Sequence, residues 1–557
     1  MSFATLRGAK ILDAVVIGSG FGGAVSACRL AQAGRSVAVL ERGKRYPPGS
    51  FARSPRELAT NFWDPSEGLH GLFDLWSFRG LEAVVASGLG GGSLIYANVL
   101  LRKPPAWFAQ DATGAGRSEH WPVTYDDLVP HYEKAEQMLG ATPYPFDRAP
   151  YDRTAKTLAM QSAARRAGLS WSLPNLAVSF GDPEPVPGIP VGAPQDNLHH
   201  AQRYACRLCG ECDTGCNFGS KNTTDYTYLS AAQRAGARIE DRCEVRRIAR
   251  EDDHYVVDVV RHRPEQEGVP WDTAALPVEK WRSKVVVVSA GSLGSTYLLL
   301  RSRTGLPRLS PRLGSRFCGN GDLLGFVTGN RSRLVDPSRG PVITSTVRVG
   351  DSLDGEEGRG HFVQDGGYPE FVGWMLETAH AWGPARRGAW LLLNRALDAV
   401  TASPRSQLSA RMAALLGSTK ASAATLPLLG MGRDVPDGRM RLRDGWLDVD
   451  WTTATSARYF ARLVATMSAI ATALDARLKL NPTWRLGRVV TVHPLGGCPM
   501  GRDAREGVVD DHGEVFGHPG LFVADGSVMP GPVGANPALT IAALAERFSA
   551  RMIERSA

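Results

Sequence analysis

Leu12-Asp13-Ala14-Val15-Val16-Ile17-Gly18-Ser19-Gly20-Phe21-Gly22-Gly23 decides how the rest of this chain is read. An apolar run of strand length stops at glycines 18, 20 and 23, the G-x-G-x-x-G spacing, and Gly22 to Ala33 then carries helical apolar spacing. Ser36 to Leu40 is a second buried strand, closed by Glu41. This strand–helix–strand start predicts a bound dinucleotide. Gly18 permits the tight turn, Gly20 lets the backbone approach a pyrophosphate, and Gly23 lets the helix pack closely on the strand. Backbone N–H groups at the start of the helix, beside Phe21, then bind phosphate. Glu41 stands about 20 residues on, where an acid bonds ribose hydroxyls. The competing reading is a glycine-rich helix start that binds nothing.

Outward from this unit, a loop-rich stretch runs to about residue 80. A second glycine-rich turn follows, Gly88-Leu89-Gly90-Gly91-Gly92-Ser93, and opens into Leu94-Ile95-Tyr96-Ala97-Asn98. Residues 126 to 139 read as a polar-faced helix. Arg238 to Ala249, which includes Val245, and Tyr255 to Val260 read as a strand pair. Val285 to Ser289 is a β-branched run with Gly291 at the start of a helix, and residues 320 to 380 suggest antiparallel strands. The final 75 residues return to glycine-rich loops, a strand and a helix. Binding elements at both ends imply an interleaved α/β architecture. A discontinuous Rossmann-type domain is expected from residues 1–110, 200–325 and 480–557, with an inserted α+β substrate domain, built on an antiparallel sheet, from 111–199 and 326–479.

The 557 residues are enough for two large cores, and 43% hydrophobic with 22% charged residues reads as a globular protein. The net charge of +8 comes from scattered arginines without a run of five or six, so no nucleic-acid partner is expected. No window of 18 apolar residues suggests a membrane span, and the first residues lead almost directly into a strand with no signal peptide. A cytoplasmic location is expected, where cysteines serve as thiols or metal ligands more often than as disulfides.

Near the other end lie His493-Pro494-Leu495-Gly496-Gly497, then Leu521-Phe522-Val523-Ala524-Asp525-Gly526-Ser527, then Gly534-Ala535-Asn536-Pro537. These segments, with Gly18 to Gly23, Glu41-Arg42-Gly43, Gly88 to Ser93 and Val286-Val287-Val288-Ser289-Ala290-Gly291, resemble the glucose–methanol–choline (GMC) oxidoreductase family. Gly314-Ser315-Arg316-Phe317, Gly319-Asn320-Gly321 and Thr540 to Arg547 fit its cholesterol-oxidase-like branch. The resemblance covers both ends and the middle strand, and the inserted domain only loosely.

The resemblance implies FAD rather than NAD, held by Gly18, Gly20, Phe21, Gly23, Glu41, Arg42, Gly88, Gly90, Gly92, Ser93, Tyr96, Asn98, Val245, Gly291, Asp525, Gly526, Asn536 and Pro537. It also implies oxidation of an alcohol by hydride transfer to flavin N5. Where relatives often carry an asparagine after the second glycine turn, this chain has Tyr96, so contacts at the flavin edge are expected to differ. Such chemistry needs an acceptor for the O–H proton, a role that suits a neutral imidazole. His493 is the candidate base, and Asn536 the amide that orients the same oxygen. Pro537 fits the first turn of a helix whose N-terminus carries partial positive charge toward the reduced ring. Some relatives also isomerise their product with a carboxylate. That position falls here on Gln364, with Asp365 and Glu370 nearby, so isomerisation is not expected.

Cys206-x-x-Cys209-x-x-Cys212-x-x-x-Cys216 has the spacing of a bacterial ferredoxin run, with Asn217 in place of its proline. It predicts an iron–sulfur cluster, [4Fe–4S] or [3Fe–4S], and with it an external electron acceptor. A zinc site and free thiols remain as alternatives. Arg386, Arg387, Arg395, Arg405 and Arg411 alternate with Trp390 to Leu393, Leu397, Leu415 and Leu416. This stretch reads as a helix pair on the inserted domain, or as a lid in peripheral contact with membrane. Together these features point to an enzyme acting on a bulky apolar alcohol, sterol-like or long-chain. The competing class is a non-redox flavoprotein of the same family, a hydroxynitrile lyase or photodecarboxylase.

Overall fold

The computed structural model describes residues 11–108, 119, 121–329, 335–350, 359–368 and 425–557. Its first sheet has seven strands drawn from distant parts of the chain. Leu12–Ile17 lies in the middle, parallel to Val37–Leu40 on one side and to Val278–Val288 on the other, with Val15 opposite Ala38 and Val286. Leu521–Val523 adds parallel to Val286–Val288. The β-branched run Val285–Val288 is completely buried, as befits a strand covered on both faces. His254–Arg261 and Cys243–Glu251 extend this sheet as an antiparallel pair.

The stretch from Arg238 to Ala249 is not one strand. Arg238–Glu240 pairs parallel with Val37–Leu40 on one edge, and Cys243–Glu251 pairs with His254–Arg261 on the other. Arg242, between them, takes φ +58° and turns the chain out of one ladder and into the other. The stretch expected to be loops as far as residue 80 also holds a hairpin, Phe73–Ser77 with Leu81–Ala86. Val489–Thr491 joins that hairpin in parallel.

The first helix, Phe21–Gln32, and the last, Ala538–Arg555, pack together beside the first sheet. Arg29 grips Glu546 through two bonds of 2.7 and 2.8 Å, and the Tyr228 hydroxyl donates to the same carboxylate at 2.8 Å. The Glu546 side chain is 2% exposed. Removing Arg29 would strand a buried carboxylate, at a cost of about 3–5 kcal/mol. The two ends of the chain are thereby locked into one core.

A second, six-stranded antiparallel sheet runs in the order Arg477–Leu480, Leu323–Thr328, Leu426–Gly432, His361–Asp365, Thr346–Val349 and Ser170–Ser172. The amphipathic helix Ala457–Ala473 lays Phe460, Leu463, Met467 and Ile470 into the core beside it. The antiparallel strands expected between 320 and 380 are present where residues are described. The basic stretch from Arg386 to Leu416 lies outside the described residues. Among the described residues, no helix is long and apolar enough to cross a membrane.

Candidate active site

Two glycine turns meet edge to edge. Gly18 takes φ +94°, and a side chain there would lie 2.2 Å from the Ser289 carbonyl oxygen. Gly91 takes φ +53°, and a side chain there would come within 2.6 Å of the Gly20 Cα. The outer faces of Gly20, Gly92 and Gly291 are open instead: among the described residues, no atom beyond the adjoining stretch of chain lies within 4 Å of where a methyl group on each would stand. The result is a bare backbone cradle at the start of the first helix, whose first turn holds no acidic residue. Such a surface fits a pyrophosphate.

Side chains around the cradle hold it rather than fill it. Glu41 is buried and accepts from Ser19 N at 3.0 Å, Ser19 Oγ at 2.6 Å and Gly43 N at 2.9 Å. Burial pushes its carboxyl above the usual range, against those bonds. Ser93 Oγ donates to the Gly90 carbonyl at 2.7 Å. Thr224, which the sequence did not single out, reaches both turns: its hydroxyl lies 3.0 Å from Gly90 O and 3.2 Å from Ser19 O. Asp525 accepts from Gly291 N and Ser527 N at 2.9 and 2.8 Å, and so fixes Gly526 beside the helix that begins at Gly291.

Three expected cofactor residues send their side chains elsewhere. The Arg42 guanidinium pairs with Asp74 at 2.6 Å and lies over the Trp63 ring. Tyr96 packs its ring edge against Phe21 and donates its hydroxyl to Asn222 O at 3.1 Å. Asn98 sends its amide N–H to the Cys212 sulfur at 3.1 Å. Val245 sits at the irregularity between Cys243–Glu251 and its neighbouring strand.

His493 and Asn536 are both placed by one turn, Gly319–Asp322. His493 follows the strand Val489–Thr491, and its Nδ1 lies 2.8 Å from Asp322 Oδ1. The other Asp322 oxygen accepts from Val492 N at 2.9 Å, His493 N at 3.2 Å and Thr491 Oγ1 at 2.9 Å. A carboxylate at Nδ1 fixes the proton there and leaves Nε2 as the basic nitrogen. Two residues earlier, Asn320 accepts from Gly534 N at 2.7 Å and donates to Ala535 O at 3.0 Å, which fixes the loop before Asn536. The turn itself is held by buried Asp434, which accepts from Gly319 N at 2.9 Å. Burial raises the Asp434 carboxyl to about 7, and the neighbouring Asp322 charge adds to the rise.

Asn536 is paired with Gln364 in a reciprocal amide contact, with bonds of 2.7 and 3.2 Å. Its carbonyl oxygen therefore accepts from Gln364, and its remaining N–H is left to donate. Asp365 is committed to Thr344 N, Ser345 N and Lys156 Nζ at 2.6–3.1 Å and is fully buried, so its carboxylate is spent on structure. Glu370 lies outside the described residues. Cys498 is buried, with its thiol pushed up to about 12 by burial, an inert packing residue. Asp322, Asn320 and Thr224 were missed because each acts through another residue; the one available signal was the Gly319-Asn320-Gly321 turn, which Asp322 ends.

Cys206, Cys209, Cys212 and Cys216 line one small cavity with Lys221 and Gly340, and all four are free of disulfides. The Cys212 sulfur accepts the Asn98 amide N–H at 3.1 Å. Burial pushes the first three thiols upward. The described groups with three ligand atoms within 4.8 Å of one another do not include these sulfurs. A single tetrahedral ion with about 2.3 Å bonds would need its sulfurs about 3.8 Å apart.

Models of the GMC oxidoreductase family match residues 187–319 and 435–545, and a model of an NAD(P)-binding Rossmann-like domain matches residues 16–64. A cholesterol oxidase of Acinetobacter baumannii is 30% identical, over 96% of this chain and 93% of that protein. A cholesterol oxidase of Mycobacterium tuberculosis is 29% identical over 96% and 90%. A long-chain-alcohol oxidase of Arabidopsis thaliana is 24% identical over 97% of this chain and 67% of its own length. Among solved structures, a fungal aryl-alcohol oxidase shares the fold, with a TM-score of 0.57, 16% identity, and coverage of 98% of this chain and 99% of that one. A relative at 30% identity across nearly the whole of both chains, together with two matching family models on the site just described, decides the assignment: the chain belongs to the GMC oxidoreductase family of FAD-dependent alcohol oxidoreductases.

Proposed function

We propose that the protein oxidises a bulky apolar alcohol, sterol-like or long-chain, to its carbonyl compound. The His493–Asp322 pair beside the Asn536 loop carries the reading, since it supplies a base with one ring nitrogen free. The apolar substrate class is supported by the cholesterol oxidases and the long-chain-alcohol oxidase among the relatives. The first sheet is read as the cofactor domain and the second as the substrate domain.

FAD fits the bare glycine cradle, where Gly18, Gly20, Gly23 and the Gly90–Ser93 turn would hold its pyrophosphate and Glu41 a ribose, with Val245, Asp525 and Gly526 as further contacts. When bound, it supplies the acceptor for the hydride that leaves the carbinol carbon. His493 Nε2 takes the hydroxyl proton, and Asp322 stabilises the imidazolium that results. The free Asn536 N–H donates to the substrate oxygen and holds it in line with that base. One alcohol thus yields one carbonyl, one proton on His493 and one hydride.

The cysteine site supports a finer reading, in which the two electrons leave one at a time through an iron–sulfur cluster to an external acceptor. Four free thiols at the ferredoxin spacing around one cavity, one of them met by the Asn98 amide, suit a cluster whose irons each take one sulfur. A cytoplasmic setting, with peripheral contact to lipid where such alcohols partition, belongs to the same reading.

The test is anaerobic mixing of the flavin-loaded protein with cholesterol and with a long-chain primary alcohol. Bleaching of the flavin by either, slowed on the order of 10²-fold in His493→Ala, is the expected result. A flavin that stays oxidised with both alcohols overturns the reading in favour of a non-redox flavoprotein. Metal analysis of protein purified without air checks the cluster: iron and sulfide, both lost in Cys209→Ser, are expected, and zinc or no metal overturns it.

A further inference from the structure

Hydride transfer gives no task to the polar bridge that joins the cofactor cradle to the cysteine loop. Lys221 is 1% exposed. Its ammonium donates to three carbonyls, Leu94 at 2.8 Å, Tyr96 at 3.1 Å and Cys212 at 2.7 Å. Leu94 ends the short helical turn Gly91–Leu94 of the cradle, and Cys212 lies at the centre of the cysteine run. One side chain therefore spans both sites with all three of its N–H groups used.

Tying two loops together does not by itself call for a charge. A buried ammonium carries a desolvation cost of several kcal/mol, which its three carbonyl bonds offset in part. Among the described residues, no carboxylate bonds Lys221. Its ammonium instead meets the Cys212 carbonyl at 2.7 Å, and Lys221 lines the same cavity as the four cysteines. Asn98 makes a second link from the cradle side. It is fully buried, takes φ +69°, a conformation that asparagine tolerates better than most residues, and directs its amide N–H at the Cys212 sulfur.

We propose that Lys221 and Asn98 together set the reduction potential of a cluster held by the four cysteines and fix that cluster to the cofactor cradle. This rests on the reading that the cysteines hold a cluster. One-electron reduction adds negative charge at the sulfurs. A buried ammonium and an N–H dipole stabilise that added charge more than the oxidised state, so both raise the potential. Electrons leaving the cofactor thereby meet a centre made easier to reduce, on a mount shared with the cradle. Both are positioning residues that act through Cys212.

The test is a reductive titration of the holoprotein, purified without air and followed by electron paramagnetic resonance, with iron and flavin counted separately. At the potential that half-reduces the wild-type centre, Lys221→Met is expected to lower the reduced-to-oxidised ratio about tenfold, a shift of about 59 mV for one electron. Asn98→Ala is expected to lower it in the same direction by a smaller factor, and Lys221→Arg, which keeps the charge, to restore it toward wild type. Wild-type ratios in Asn98→Ala and in Lys221→Met, with iron retained, overturn the bridge and leave the cluster reading intact. If Lys221→Met does not fold, Asn98→Ala decides alone, and an unchanged ratio there overturns the proposal. Absence of iron from the wild-type protein overturns the cluster reading itself, and the bridge with it.

Discussion

His493 Nδ1 lies 2.8 Å from Asp322 Oδ1, and Asp322 spends its other oxygen on the backbone N–H groups of Val492 and His493. One buried carboxylate therefore fixes both the path of the loop and the tautomer of the ring it carries. In Asp322→Asn the side-chain amide can still accept a backbone bond but no longer stabilises an imidazolium. Reduction of the flavin by alcohol should slow on the order of 10²-fold, within the range of general-base effects, while the cofactor stays bound. Stopped-flow absorbance of the flavin measures it, and a wild-type rate would remove Asp322 from the mechanism.

Gln364 should matter through Asn536. Gln364→Ala leaves the Asn536 carbonyl without its 2.7 Å partner and frees the amide to rotate. A misplaced orienting group costs up to about 10²-fold in rate. A loss of roughly tenfold in the flavin-reduction rate is expected, with little change in thermal stability. Gln364→Glu retains an acceptor but loses the donor, and should be impaired as well.

Asp434 predicts a pH dependence of stability. Its carboxyl ionises at about 7 when folded, against an ordinary value of 3.8, because it is buried. Between about pH 4 and 7 the unfolded chain has lost this proton and the folded chain keeps it, so this group makes the fold less stable as pH rises. At about 1.36 kcal/mol per pK unit, the full effect is of the order of 4 kcal/mol. Asp434→Asn, which can still accept from Gly319 N, should therefore gain in melting temperature relative to wild type as pH rises from 4 to 7.5. A constant difference across that range would contradict it.

Thr224 should prove to be a cradle residue. Its hydroxyl is shared between the Ser19 and Gly90 carbonyls, so Thr224→Val keeps the shape and removes the link. FAD should be retained less tightly, by about 0.5–1.5 kcal/mol for one hydrogen bond. Glu41→Ala should weaken retention further, since it removes a buried carboxylate that accepts from both Ser19 and Gly43. Flavin released per chain on dilution reports both.

The sequence by itself determined the elements whose signal is local. The Leu12–Ile17 strand, the glycine turn and the helix after it were legible because period and glycine spacing act over neighbouring residues. The strand Val285–Val288 and the helix at Gly291 were legible for the same reason, and His493 and Asn536 were singled out by a family pattern carried in short motifs. The four cysteines could be picked out by spacing alone. What only the tertiary structure decided are the contacts between segments far apart in the chain. Asp322 reaches His493 across 171 residues, Gln364 reaches Asn536 across 172, and Thr224 reaches Ser19 across 205. No periodicity marks a residue whose partner is so remote, because its role is set by where the sheets bring two loops together. The same reason explains why Arg238 to Ala249 looked like one strand. Both halves have strand composition, and only the placement of two ladders on opposite edges of the sheet divides them at Arg242.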